Sequence, residues 1–253
     1  MSSTTAYLGL HLLGTSAADK ETYFEQWRQT VNGEIDNSNM NIIDRAYKEI
    51  VDELSDLKYV EIAINSFTAT PSTAEKGSTV QSVQFAYALN KIPTTLKFGD
   101  ESLDPVKSGT KALSGQTLTG NTTWKLEASD SGSATSDPKT VTKNVTLSFL
   151  NKAYWGVGTI PATLNSAFVL GLANSTLTSA KARTFTLNAG EGQYIWYAVP
   201  SSMGDVSFKV GGFDGGFEAA EKISFTNASG YTEEYNVYRS TNASLGQTTV
   251  VAS

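Results

Sequence analysis

Between Met40 and Leu57 the apolar positions Met40, Ile43, Tyr47, Ile50, Leu54 and Leu57 recur at intervals of 3, 4, 3, 4 and 3. That spacing places them on one side of an α-helix, as in the seam of a coiled coil. Asp44, Arg45, Lys48, Glu49, Asp52 and Glu53 take the other faces. An ordinary amphipathic helix packed on its own domain would show the same pattern, and fewer than three heptads are present. The context favours a stalk, because the helix runs straight into β-type sequence and no other helix waits beside it. Upstream, Tyr23, Phe24, Trp27 and Val31 also fall at helical spacing, with Asp19 and Thr22 or Ser16 and Asp19 as a cap. Gly33 and Asp36-Asn37-Ser38-Asn39 interrupt that run, which predicts two helices with a turn between them.

Beyond residue 58 the period drops to two. Val83, Phe85, Tyr87 and Leu89 share one face of a predicted strand, as do Trp124, Leu126 and Ala128, and Val145, Leu147 and Phe149. Ile62, Ile64 and Phe67 give a weaker row. Turn signals at Lys76-Gly77, Asn90 to Pro93, Gly99-Asp100, Gly120-Asn121 and Asp130 to Ser133 separate the rows. About seven short strands in such a stretch is the pattern of an immunoglobulin-like sandwich. With no cysteine available, its core must pack around Phe85, Trp124 and Phe149. From residue 152 onward the sequence is β-type again but crowded with aromatic residues. The run Tyr194 to Val199 is apolar on both faces, as a central strand would be. The pattern therefore predicts a mainly β protein with a short N-terminal helical stalk. An arm (1–20) and a helical segment (21–57) precede an Ig-like β-sandwich (58–151) and a second β-rich domain (152–253), sandwich-like or jelly-roll-like.

Composition reinforces this reading. Charged residues make up 17% of the 253, against about 25% in typical domains. Ser, Thr, Asn and Gly fill the difference, and they favour strands and turns over helix interiors. A net charge of −6 argues against nucleic acid and against an anionic membrane surface as partners. The absence of cysteine removes disulfides, zinc–thiolate sites and thiol nucleophiles, and fits folding in a reducing cytoplasm. The opening residues lack the basic start and apolar length of a signal peptide, and no apolar stretch is long enough to span a bilayer.

Little in the chain points to catalysis. The single histidine, His11, sits in the N-terminal arm with no orienting partner in view, which leaves hydrolytic triads and most transition-metal sites without their residues. Asp100 with Asp104, or Asp205 with Asp214, could imitate a glycosidase pair, but all four lie in turn-like contexts where Asp bonds its own backbone. The run Gly211 to Phe217 matches no nucleotide-binding loop. It predicts a tight positive-φ turn or bulge, with Phe213 and Phe217 folded inward. Five Asn-x-Ser/Thr sequons, at Asn121, Asn144, Asn174, Asn227 and Asn242, are what a chain this rich in Asn, Ser and Thr contains by chance. Exposed Tyr and Trp rings stack on sugars and anchor interfaces. Tyr231, Tyr235 and Tyr238, beside Asn227, Asn236 and Asn242, are the candidate surface ligand contacts, although core building is the commoner role for such rings. No catalytic, metal-binding or cofactor-binding residue and no cofactor are expected.

Three groups of segments, taken in order, resemble tailed-bacteriophage virion proteins. Thr5-Ala-Tyr-Leu-Gly-Leu10, Trp27 and Asn37-Ser-Asn-Met-Asn-Ile-Ile-Asp44 are similar to the N-terminal attachment segment of phage fibre and appendage proteins. Asn65-Ser-Phe-Thr, Gly77-Ser-Thr-Val, Leu89-Asn-Lys-Ile-Pro-Thr and Ala128-Ser-Asp resemble Ig-like modules of phage structural proteins. Tyr194 to Pro200, Gly211 to Phe217 and Phe225 to Arg239 look like a C-terminal β-domain that follows such modules. The resemblance implies a non-enzymatic appendage on a head, neck or tail, located on the virion after assembly in a bacterial cytoplasm. It implies attachment through Tyr7, Leu8, Leu10 and Trp27. Self-association would run through Met40, Ile43, Tyr47, Ile50, Leu54 and Leu57, with a homotrimer favoured over a dimer. The partners implied are a second and third copy, capsid, neck or tail proteins, and host-surface glycans. A carbohydrate-binding adhesin acting through the aromatic C-terminal domain is the alternative reading, and a glycosidase a distant third.

Overall fold

The structure, a computed structural model, describes residues 47–52, 54, 58–133 and 136–253. The attachment residues Tyr7, Leu8, Leu10 and Trp27, the histidine His11, and the seam residues Met40, Ile43 and Leu57 lie outside the described residues. The protein is mainly β, built from several antiparallel sheets. Two compact units divide the chain: residues 1–61 with 131–139, and residues 62–130 with 140–253.

Within the first unit, residues 47–52 are helical. Lys48 reaches Asp52 one turn on at 3.4 Å, a pair that supports an exposed helix modestly. The Lys139 ammonium also pairs with the Glu61 carboxylate here.

The second unit opens with a three-stranded sheet in the order β1 (Ile64–Thr70), β3 (Val83–Leu89), β6 (Ser108–Leu113). Facing it are β4 (Thr95–Phe98), β5 (Glu101–Leu103), β7 (Thr122–Asp130) and the first part of β8 (Lys139–Gly158). The short β2 (Thr73–Glu75) runs parallel to β8. Between these layers lies one core, holding Phe67, Val83, Phe85, Tyr87, Leu89, Leu96, Phe98, Leu126, Leu147 and Phe149. The alternation expected for β3 is met residue for residue: Val83, Phe85, Tyr87 and Leu89 are buried and Gln84 and Ala86 exposed. Phe85 is the hub, with its ring centroid 4.9 Å from Trp124 and 4.8 Å from Phe98. A register shift between Ile64 and Ser66 brings Phe67, three residues past Ile64, onto the buried face.

β8 continues for 20 residues, so the division drawn at residue 151 falls inside a strand. Its far end pairs with β9 (Asn174–Thr178) and with β11 (Tyr194–Pro200), and the same sheet extends through β15 (Thr232–Arg239) to β14 (Glu221–Thr226). β11 is buried on both faces, as its apolar run predicts. On one face Tyr154, Trp196, Phe225 and Tyr235 pack with Val169 of a one-turn helix, Ser166–Leu170. On the other, Phe185, Tyr197, Phe208, Tyr238 and Val250 join a four-stranded sheet. Its order is β10 (Arg183–Ala189), β16 (Gly246–Ala252), β12 (Phe208–Val210), β13 (Phe213–Asp214).

Candidate functional site

Two surfaces of the described chain stand apart from ordinary packing. One is the helix at 47–52, taken with Leu54. Tyr47, Ile50 and Leu54, all seam positions, are 71%, 64% and 54% exposed, and Val51 beside them is 45% exposed. Large apolar side chains so open to water, aligned along one helix face, are unfavourable in an isolated chain.

The other is a cleft of about 620 Å3 lined by residues 205–208, 214, 215, 217–220, 222 and Tyr238. Its floor follows from the packing of β12 against β15. Phe208 and Tyr238 meet edge to face with centroids 5.1 Å apart, and the Tyr238 hydroxyl accepts from the Val206 N–H at 2.9 Å. Phe217 stacks on Phe208 with centroids 4.0 Å apart. The chain between β13 and β14 is strapped down by backbone bonds. Glu218 N–H donates to the Arg239 carbonyl at 2.8 Å, and Thr241 N–H to the Gly216 carbonyl at 2.9 Å. Positive φ at Gly211, Gly212, Gly215 and Gly216 lets the hairpin turn this tightly.

Charge on the rim is mostly negative. Asp214 pairs with Lys209 at 3.3 Å. Lys222 pairs with Glu234 at 2.9 Å, and this hydrogen-bonded contact holds the lysine above its ordinary value and the glutamate below its own. Asp205 and Glu218 form no ion pair with any described residue. The structure thus brings Asp205 and Asp214 to one cleft, as the sequence left open. The Asp214 side chain is 85% exposed, and nothing here encloses the pair away from water as acid–base catalysis of glycoside cleavage needs. Asp100 and Asp104 lie elsewhere, flanking the edge strand β5 on either side, and both are exposed.

Two expectations about aromatic residues are corrected. Tyr235 and Tyr238 are 2% and 3% exposed, so they are core residues and not surface ligand contacts. Tyr235 packs on Phe225 with its hydroxyl donating to the Lys152 carbonyl at 2.8 Å. Tyr238 lies in the opposite core because its strand is central and buried on both faces. Tyr231, in the turn before β15, keeps 37% of its surface exposed, and Lys76 lies 5.3 Å from its ring centroid. Phe213, expected to fold inward, is 81% exposed. It sits on the two-residue edge strand β13, out beyond the core, while Phe217 turns back onto Phe208.

The sequence pairs Asp205 with Asp214 only as a remote glycosidase-like pair in turn contexts, and leaves the glycine run apart from them. A usable signal was their common frame: acidic residues on both sides of a Phe-bearing glycine hairpin whose outer strand cannot reach the core. Among the described residues no group of three or more His, Cys, Asp or Glu side chains is placed to hold a metal ion. No helix among them is long and apolar enough to cross a membrane. No known protein family matches the chain, and neither does any curated protein or solved structure.

Proposed function

We propose that this chain is a non-enzymatic structural component of a bacteriophage virion, an oligomeric appendage with a helical stalk and projecting β-domains. The observation that carries the oligomer is the row Tyr47, Ile50 and Leu54, more than half exposed at each position and spaced as a seam. A second and third copy of the chain, each offering the same row, would cover it by knobs-into-holes packing. Burying one such side chain contributes roughly 1.5–3 kcal/mol, and the three per copy act together against the entropy cost of association.

The strand order supports an Ig-like reading of the region up to Phe149. In that reading β1, β3 and β6 would take the A-B-E row, and β5, β4, β7 and β8 the C′-C-F-G row. The region 152–253 reads as a second β-domain that shares the strand β8 with the first. The virion reading rests on the ordered resemblance of the N-terminal segment, the Ig-like module and the C-terminal segment to phage proteins. In this account the N-terminal arm docks on capsid, neck or tail proteins. An adhesin role of the C-terminal region toward host glycans is the second reading, supported by Tyr231, the one candidate tyrosine that stays accessible.

Labelling tests the location. Antibody raised against the chain is expected to decorate tailed particles purified from a lysate of the cells that make it, at projections visible by negative-stain microscopy. Particles free of label, with all the chain in the soluble fraction, would refute a virion role.

A further inference from the structure

The hairpin at Gly211–Gly216 presents an aromatic side chain outward instead of using it. Phe213 is the most exposed large apolar residue among those described, at 81%. Its carriers are glycines at positive φ on both sides, 211 and 212 before it and 215 and 216 after it. A Cβ on Gly216 would come within 2.8 Å of the Val210 side chain, so that turn admits little other than glycine. A solvent-facing Phe at the tip of this hairpin is open to contact, and buried aromatic anchors dominate interface energies.

Beside Phe213 lies the cleft with its negative rim. Three cations lie near it: Lys209 and Lys222 are held by Asp214 and Glu234, and the Lys181 ammonium donates to the Asp205 main-chain carbonyl. The carboxylates of Asp205 and Glu218 form no ion pair among the described residues, although Lys222 feels the charge of Asp205, and they stand over a floor of Phe208, Phe217 and Tyr238. A carboxylate accepts hydrogen bonds and donates none. Two of them beside aromatic rings therefore favour a group that brings both positive charge and N–H donors.

We propose that this lip is a protein-docking surface for a basic segment of a partner. A lysine or arginine side chain of the partner enters the cleft between Asp205 and Glu218, and Phe213 seats in an apolar patch beside it. Charge complementarity sets the partner's sign and favours encounter, while Phe213 supplies the slow-dissociating anchor. This surface is independent of the stalk and of the virion reading, and a chain that proved monomeric would still carry it.

The test is fluorescence anisotropy with the full-length chain and a labelled, amidated peptide of alternating lysine and leucine, compared with one of alternating glutamate and leucine. The lysine peptide is expected to bind saturably, and more weakly as salt rises. Phe213→Ser, and Asp205→Asn combined with Glu218→Gln, should each weaken it about tenfold or more. Asp100→Asn combined with Glu191→Gln, which removes two exposed acids elsewhere, should change it less than twofold. Phe213 is exposed enough that Phe213→Ser should keep the fold, checked by an unchanged circular dichroism spectrum and melting curve. The proposal is overturned if the glutamate peptide binds equally, if the Asp100/Glu191 control loses as much affinity as the site variants, or if Phe213→Ser binds like the parent. It is also overturned if butylammonium chloride displaces the peptide at equal concentration, since a free amine would then suffice.

Discussion

The Lys76 ammonium meets the Glu233 carboxylate at 3.1 Å, joining residues 157 apart in the chain. Around them the contact is reinforced. Asn151 and Ser202 also donate to Glu233, at 2.7 and 2.9 Å. The Asn227 amide donates to the Lys76 carbonyl at 2.7 Å, while its oxygen accepts from Ser229 and Tyr231 and fixes their turn. Glu233 thus ties the β2 loop, the middle of β8 and β15 together.

This cluster gives stability a pH dependence at both ends. Burial works against the charge on Glu233, but the hydrogen bonds from Ser202, Asn151 and Lys76 outweigh it and hold the carboxyl below its ordinary 4.5. Burial likewise opposes the charge on Lys76, and Glu233 more than offsets it, keeping the ammonium above 10.5. A depressed carboxyl stabilises the fold above its ordinary value, and that contribution is lost as pH falls through the folded value. A raised ammonium stabilises below its ordinary value and fails as pH rises through the folded one. Glu233→Gln should lower the melting temperature at neutral pH and flatten its fall below about pH 4.5. A parallel acid limb in parent and variant would count against the assignment.

The alkaline side carries a second signature. Of the 11 tyrosines, burial pushes Tyr154 and Tyr197 from 10.0 up to about 12. In Tyr154 the Glu75 charge adds to burial, and in Tyr197 Arg183 partly offsets it. Burial raises Tyr235 further. Their raised values mean that stability is full below pH 10 and is lost as pH climbs through the folded values. Tyrosinate absorbance on titration should show a late phase from Tyr154, Tyr197 and Tyr235 that coincides with loss of circular dichroism. A single smooth phase near pH 10 would exclude the buried placement.

Tyr235 and Tyr231 separate core from surface. Tyr235→Ala should cost about 3–5 kcal/mol, because it opens a cavity under Phe225 and leaves the Lys152 carbonyl without its partner. Tyr231→Ala, at a half-open position, should cost about 1 kcal/mol or less. Urea denaturation of the two variants measures the difference, and equal losses would contradict the packing described.

How much of this was readable in advance depends on what side chains do locally. The alternation of β3 and the doubly apolar β11 were legible because burial there is decided by the strand's own period, and both came out as expected. The continuity of β8 was hidden by Asn151 and Lys152, polar residues that resemble a boundary. In the fold Asn151 is 7% exposed and bonded to Glu233, and Lys152 pairs with Glu75 at 2.8 Å. Their partners lie more than 70 residues away, beyond the reach of any local pattern. The tyrosines of β15 misled for a related reason. Neighbouring Asn residues suggested a wet strand, yet Asn236 is itself 2% exposed. The cleft was invisible because its walls come from β12, β13 and β15 and meet only when the sheet is formed.

Self-association through the helix bearing Tyr47, Ile50 and Leu54 is the claim on which the appendage account stands. Sedimentation velocity of the full chain, run beside an Ile50→Asp, Leu54→Asp variant, tests it directly. The account predicts a trimer for the parent and a folded monomer for the variant, with the β-domain melting unchanged. A parent that sediments as a monomer at high concentration, or a variant that associates just as the parent does, would contradict it.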